Sequence, residues 1–444
     1  MKPGKFILII SIFCFCSAYQ SGTAQTLSLQ SCIDYGLVNN YNIKITRNDE
    51  AITANNNSWA NAGGLGSINL TAGYSGNIYG NNTESRETGQ TTKMRNIADN
   101  TLNTAIRAEL TVFDGFKIQT TKKKLEEFQN IGSIKTLITI EDFVAELSSN
   151  YYNYVRQFIR MKNLNYAVSL SRERLRIVQE RYSIGENSQL DLKLAQVDFN
   201  ADSAKSLKQN ELLTSAGIKI KRLMSNNDLS TPFIAADSII SLIQPLNYDS
   251  LLMYMLENNS ELLRAHSGTT MANLDLKSVQ SRVYPYLKLN TGYGYTHNIY
   301  GATSTIRRGH WGSDFGATVG INLIDGKKRT EIKNARIEAK SAEIALDELE
   351  LSLRVTLADL WQAYNNNIQL VKLEKENLET AQKNYDIAYD RYLLGELSGF
   401  QIREVQKSLL DAGESLLIAE YDTKICEISL LQISGIIIQF IEVI

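Results

Sequence analysis

Side chains that carry out chemistry at close quarters are thinly spread along this sequence. Its three histidines, His266, His297 and His310, do not cluster. No nucleotide-binding loop of the Walker type, His-Glu-x-x-His, Cys-x-x-Cys or Gly-x-Ser-x-Gly stretch is present. Carboxylates are abundant, but they are strung along helical patterns, as on solvated coiled-coil faces. No enzyme, metal centre or cofactor is therefore expected. Basic and acidic residues number 46 and 48, for a formal net charge of -2, which speaks against a nucleic-acid binder. The run Lys122-Lys123-Lys124 reads as solvated surface beside a helix start.

What recurs is a turn. Residues 180–196 read ERYSIGENSQLDLKLAQ and residues 390–406 read DRYLLGELSGFQIREVQ. Both copies hold Arg-Tyr (Arg181-Tyr182, Arg391-Tyr392), then a glycine (Gly185, Gly395) and a closing glutamine. Glycine takes the left-handed conformation that ends one helix, and a second helix starts a few residues later. Two such tips, about half a chain apart, point to an internal duplication.

Around each tip stand the elements that must position it. Long helices are expected over about 115–182 and 326–392, with apolar positions that step by three and four, the seam of a coiled coil. At ~1.5 Å per residue such a helix is roughly 100 Å long. Shorter helices return over 188–225 and 398–434. Ahead of each long helix come two alternating strands, 67–79 and 101–113 in the first copy, 285–296 and 311–323 in the second. One face is apolar (Ile68, Leu70, Tyr74; Trp311, Phe315, Val319) and the other small or polar. Polar loops are expected over 80–100 and 297–310. Each strand pair ends in Asp-Gly, where Asp114 and Asp325 read as helix N-caps. Continuous helices are expected from Leu27 to about Ala60 and from Tyr248 onward, each carrying an Asn-Asn pair (Asn39-Asn40, Asn258-Asn259). A linker at 226–247 contains Pro232 and Pro245, and an apolar tail closes the chain at 436–444.

The first 24 residues read as a secretory signal: Lys2 and Lys5, a short apolar run, and a small-residue cleavage site. Cys14 and Cys16 lack the small residues that a lipidation site needs before them, so simple cleavage is preferred, with lipidation at either as the alternative. Cys32 and Cys426 remain, either as a disulfide or as two small apolar side chains, with the latter preferred.

Strands with one oily and one polar face suit a soluble sandwich or a membrane barrel with a wet lumen. An open sheet of four strands cannot stand in hydrocarbon with unpaired edges, so a membrane reading requires several protomers to pool their strands.

The ordered set of helix, strand hairpin, Asp-Gly junction, long helix, Arg-Tyr-x-x-Gly tip and return helix, present twice, resembles the TolC-like outer-membrane efflux proteins across essentially the whole mature chain. The resemblance implies a mainly α fold with a small β part. It implies a homotrimer whose four strands per protomer build a twelve-stranded barrel, continued by an α-helical periplasmic tunnel. It also implies a passive exit duct for a tripartite pump or type I secretion, docked to a periplasmic adaptor and driven by an inner-membrane pump. Adaptor docking carries over to the tips, 182–188 and 392–398: Tyr182, Ile184, Gly185 and Ser188, and Tyr392, Leu393, Leu394, Gly395 and Ser398. For the glycines, turning the chain is an equally good reason. The family's two acidic gate positions fall on Gln401 and Glu404, with Asp191 at the equivalent of the first in the other copy. Gln401 departs from the acidic pattern. The rival reading is a soluble periplasmic coiled-coil adaptor or tether.

Overall fold

The structure, a computed structural model, describes residues 26–242 and 246–441. The signal segment with Cys14 and Cys16, Pro245 of the linker and the last three residues lie outside these. The first copy comprises α1 (Leu29–Asn39), α2 (Tyr41–Asn56), β1 (Ser67–Glu84), β2 (Thr91–Phe113), α3 (Lys117–Ser183) and α4 (Gln189–Leu223). The second repeats the order as α5 (Tyr248–Asn258), α6 (Ser260–Ser281), β3 (Tyr286–Ile299), β4 (Arg307–Gly320), α7 (Gly326–Leu393) and α8 (Gly399–Ile433). A short α9 (Ile437–Ile441) follows.

The starting helix is not continuous in either copy. Asn40 and Asn259 break it, and each becomes the cap of the next helix. The Asn40 side chain accepts from the Ile43 amide at 3.1 Å, and that of Asn259 from Leu262 at 2.9 Å. An asparagine side chain competes with the helical ladder for backbone donors, so the Asn-Asn pair marks a joint. Asn259 also donates to the Ile433 carbonyl at 2.8 Å, which ties this joint to the end of α8.

Two compact units contain these elements. The first holds the residues through Asn39, Glu146–Leu242 and Asn367–Ile425; the second holds Asn40–Ala145, Ile243–Asn366 and Cys426 onward. Within the first, the linker is strapped down. The ammonium of Lys221, itself buried, donates to the Asp228 carbonyl at 2.8 Å, the Thr231 hydroxyl at 2.9 Å and the Thr231 carbonyl. Leu27 bridges to Ala235, and the Tyr154 hydroxyl donates to the Phe233 carbonyl, with the two rings edge to face at 4.8 Å. Neither Cys32 nor Cys426 is disulfide-bonded, and Cys32 is buried.

The second unit holds one antiparallel sheet in the order β1-β2-β3-β4. Its register places like with like: Leu70 opposite Ile106, Ile106 opposite Tyr293, and Tyr295 opposite Trp311. On the other face Asn69, Arg107, Gly292 and Asp314 form one row. The β1–β2 hairpin runs well past the expected strand ends, through a register shift between Tyr79 and Asn81, to a turn after Glu84. Polar composition in 80–100 suggested a loop, but polarity does not prevent pairing where both faces of a ribbon are wet. Among the described residues nothing covers the apolar face: Ile68, Tyr74, Ile78, Phe315 and Val319 are all more than 70% exposed.

Candidate functional site

The two tips share one backbone design. Gly185 and Gly395 have φ of +83° and +82°. Gly185 N donates to Tyr182 O at 3.1 Å and Glu186 N to Arg181 O at 2.9 Å; Gly395 and Glu396 repeat this on Tyr392 and Arg391 at 3.1 and 3.0 Å. This is the paired hydrogen-bond pattern that closes a helix through a left-handed residue. The recurring Arg-Tyr thus supplies the two carbonyls that the turn consumes. A Cβ at either glycine would meet nothing within 4 Å, so the requirement is conformational.

Side chains break the symmetry. Tyr392 is buried and Tyr182 is exposed. Burial pushes the Tyr392 hydroxyl pKa up. The Arg181 guanidinium crosses to the other tip, donates to the Tyr392 and Leu393 carbonyls at 3.0 Å each, and lies over the Tyr392 ring. A cation there completes the exposed C-terminal carbonyls of α7. Around Tyr392 a small core gathers Ile177, Tyr385, Ala388, Ile402 and Leu409. Ile184, Leu190, Leu394 and Phe400 stay outside it, each 67–76% exposed.

The expected gate residues divide into two roles. Ser188 and Asp191 form a reciprocal capping box at the start of α4: Ser188 Oγ accepts from the Asp191 amide at 3.2 Å, and an Asp191 carboxylate oxygen accepts from the Ser188 amide at 3.1 Å. Ser398 and Gln401 do the same for α8, at 3.3 and 2.9 Å. Glutamine serves this geometry as well as an acid does, which gives Gln401 a structural reason. Glu404 is exposed and lines a cleft of about 860 Å³ between the tips, together with Arg174, Arg181, Tyr392, Phe400 and Arg403.

Sequence reasoning missed the charge clamp behind this cleft. Arg403 on α8 holds Asp202 on α4 with two hydrogen bonds, 2.7 and 2.9 Å, and Asp202 is only 3% exposed. Bound to Asp202, the Arg403 guanidinium has its pKa raised, against the opposing effect of burial. One helical turn away, Asp198 pairs with the buried Arg174 of α3. Arg174 Nε and Nη1 and the Tyr392 hydroxyl have no hydrogen-bond partner among the described residues. Asp198 and Asp202 are four apart on α4, a spacing that helical patterns alone present as solvated charge.

The strand–helix junctions also differ. Asp325 directly precedes α7 and accepts from the Lys327 and Lys328 amides at 3.0 and 3.3 Å. Asp114 lies three residues ahead of α3, yet its carboxylate reaches the Ile118 amide at 3.1 Å. The turn between holds two left-handed residues, Gly115 (φ +71°) and Phe116 (φ +70°). A Cβ on Gly115 would stand 2.2 Å from the Ser281 carbonyl oxygen, so only glycine fits.

Among the described residues, no group of three or more His, Cys, Asp or Glu is placed to hold a metal ion, and no helix is long and apolar enough to cross a membrane.

Residues 251–436 match the family model described as outer membrane efflux protein. Outer membrane protein TolC of Vibrio cholerae is 21% identical over 384 residues, covering 84% of this chain and 82% of that protein. The CmeC outer membrane channel of Campylobacter jejuni superposes with a TM-score of 0.77 at 15% identity, over 92% of this chain and 85% of CmeC. CusC gives a TM-score of 0.75 at 16% identity, over 94% and 95%. Over residues 251–436 the chain is thus similar to the outer membrane efflux proteins, and over nearly its whole length it shares the fold of channels such as CusC and CmeC.

Proposed function

We propose that this protein is the passive outer-membrane exit duct of a tripartite efflux or type I secretion system, working as a homotrimer. The carrying observation is the sheet. Its apolar face lies uncovered, and β1 and β4 each have one edge without a partner. Moving an exposed side chain such as Ile68 or Phe315 from water into lipid stabilises by roughly 1.5–3 kcal/mol. Unpaired edge amides and carbonyls in hydrocarbon cost several kcal/mol each. Only closure with further copies satisfies both, and three copies of four strands make a ring of twelve, within the range of bacterial barrels. At about 3.3 Å per residue and a tilt of about 40°, the 14 residues of β3 span about 35 Å, enough for the apolar layer. A soluble tether would need that face covered by its own chain.

In this reading the row of Asn69, Arg107 and Asp314 faces a wet lumen, and the helical hairpins extend the duct into the periplasm. The duct supplies a path and no energy; an inner-membrane pump supplies that. No residue acts as catalyst. The tips are the docking surface for a periplasmic adaptor, with Tyr182, Ile184, Leu393 and Leu394 as apolar contacts and Gly185, Gly395, Ser188 and Ser398 holding the turns. Glu404 is the one acidic gate side chain left uncommitted, since Asp191 and Gln401 serve the caps.

Single-channel recording in a planar bilayer tests the duct: discrete, long-lived conductance steps are expected from the purified trimer. A protein that fractionates with soluble periplasm and gives no steps would overturn the reading. Leu393→Ala/Leu394→Ala is expected to conduct normally and to lose the adaptor on co-purification from the envelope; retention of the adaptor would count against the tips.

A further inference from the structure

Both long helices begin, just past a capping aspartate, with a run of basic residues. The N-terminal end of a helix is positive, and acids are favoured there. Here α4, α5 and α6 obey, with Asp191, Asp249 and Glu261 in their first turns. Like α1, α2 and α8, the long helices α3 and α7 have no acid in the first turn, and they alone follow it with a basic run. Residues 117–124 contain four lysines and no acid; residues 326–337 contain five basic side chains against Glu331 alone. The whole chain carries a net charge of -2, so this is a local concentration. A basic concentration repeated at the same place in both copies points to a use for the charge.

The basic runs belong to one region. The end of α6 and the residues just after it touch both: the Ser281 carbonyl and Tyr284 pack against Gly115, while the Arg282 carbonyl accepts from the Lys328 ammonium at 2.6 Å and its guanidinium pairs with Glu331 at 2.7 Å. Lys122 and Lys124 are spent on Glu126 and Asp275. Lys117, Lys123, Arg329, Lys333 and Arg336 are exposed and have no ion-pair partner among the described residues. Directly beside them an aromatic group faces outward. Phe116 packs edge to face on Phe113 and Tyr284, with centroids at 5.1 and 6.3 Å, and is 57% exposed. Its left-handed backbone is strained for a bulky residue, and strain of this kind persists where a position is over-determined. Leu323 and Ile324, at the other junction, are 85% and 96% exposed. Cations bordering exposed aromatic and aliphatic side chains, continuous with an uncovered apolar sheet, form the profile of an interface between hydrocarbon and charged headgroups.

We infer that Lys117, Lys123, Arg329, Lys333 and Arg336 form a basic collar that binds anionic phospholipid headgroups of the inner leaflet of the outer membrane, with Phe116 and Tyr284 seated at the level of the glycerol backbones. This rests on the sheet standing in that membrane. The collar fixes insertion depth: the apolar band sets the span, and the ring of cations stops the helices from being drawn inward.

The test uses the full protein reconstituted into vesicles of phosphatidylethanolamine and phosphatidylglycerol, with retained lipid measured after mild extraction. Wild type is expected to enrich phosphatidylglycerol at least about tenfold over its share of the bilayer. Enrichment should vanish near 1 M salt, where the screening length is about 3 Å. The variant Lys117→Gln/Lys123→Gln/Arg329→Gln/Lys333→Gln/Arg336→Gln is expected to lose the enrichment while keeping its single-channel conductance. A charge-preserving variant, with each lysine changed to arginine and each arginine to lysine, should retain it. Equal enrichment in wild type and the glutamine variant, or none in wild type, overturns the collar. Binding of wild type to isolated peptidoglycan in place of lipid overturns it as well. Conductance without enrichment would sink the collar alone; wild type without conductance would sink the channel reading and the collar with it.

Discussion

Removing the Arg403 guanidinium should loosen the tips in a way that can be calculated. Asp202 is 3% exposed and accepts two hydrogen bonds from Arg403, at 2.7 and 2.9 Å. In Arg403→Leu that carboxylate stays buried without its partner. Breaking one side of such a pair costs about 3–5 kcal/mol, because a charge is left desolvated. Lys205, whose ammonium lies 3.9 Å from Asp202 and whose side chain is 65% exposed, can swing in and offset part of this. The expected loss is therefore about 3 kcal/mol, at the low end of the range. Hydrogen exchange on the detergent-solubilised protein reads it directly. Amides of α4 around Asp202 and of α8 just past Arg403 should exchange about 100-fold faster, one decade per 1.4 kcal/mol. Arg403→Leu/Asp202→Leu removes both charges and should recover most of the protection, since a well-packed apolar pair substitutes for a buried ion pair at little cost. Exchange in Arg403→Leu within about threefold of wild type would show that the clamp carries no stability and refute the reasoning. So would a double variant as labile as the single one.

Gly115→Ala is expected to prevent folding of the first junction, since the new methyl meets the Ser281 carbonyl at 2.2 Å on a left-handed backbone; Gly395→Ala, with open space around it, should cost only about 1–2 kcal/mol of backbone strain. Comparing heat-stable yield of the two variants checks this, and equal yields would contradict it. Glu141 gives a pH signature. Burial raises its pKa from 4.5 to about 7, while its hydrogen bond from Ser260 opposes and the charges of Asp142 and Glu261 add. The folded state thus binds this proton more tightly than the unfolded state. Its contribution is most favourable below pH 4.5, declines as pH rises, and is a full penalty above about 7. Glu141→Gln should stabilise by up to about 3 kcal/mol at pH 8 and by nothing near pH 4, in thermal melts across that range; a pH-independent difference would be the contrary result. Asn259→Ala should cost about 1–2 kcal/mol through its lost cap, with faster exchange at the start of α6; unchanged exchange would mean the joint is held otherwise.

The strands were legible because their period of two is a local property: Ile68, Leu70 and Tyr74 alternate with Asn69, Thr71 and Gly73 wherever the sheet ends up. The tips were legible because a left-handed turn all but demands glycine. Other features were written in the chain but open to misreading. Ser188-x-x-Asp191 and Ser398-x-x-Gln401 are capping boxes, a local pattern that coincides with the positions at which the family resemblance implies a gate. Asn40 and Asn259 were seen as a recurring pair, but continuous apolar stepping on both sides masked the breaks they make. Residues 80–84 and 91–96 looked like loop because a two-stranded ribbon in water needs no apolar face. The Arg403–Asp202 clamp joins positions 201 residues apart, and no periodicity reports a partner at that separation.

The boundary between β2 and β3 has a wider bearing. Since β3 and β4 restate β1 and β2, this is where one repeat meets the next within a single polypeptide, with Arg107 set opposite Gly292 and Leu110 opposite Leu289. A closed ring must solve the same problem between β4 of one molecule and β1 of its neighbour. For the proposed ring, the internal seam would be a worked copy of the external one, its register a template for how neighbours mate. In the ring proposed above, half-molecules would follow one another in a circle, with every second joint taken inside the chain.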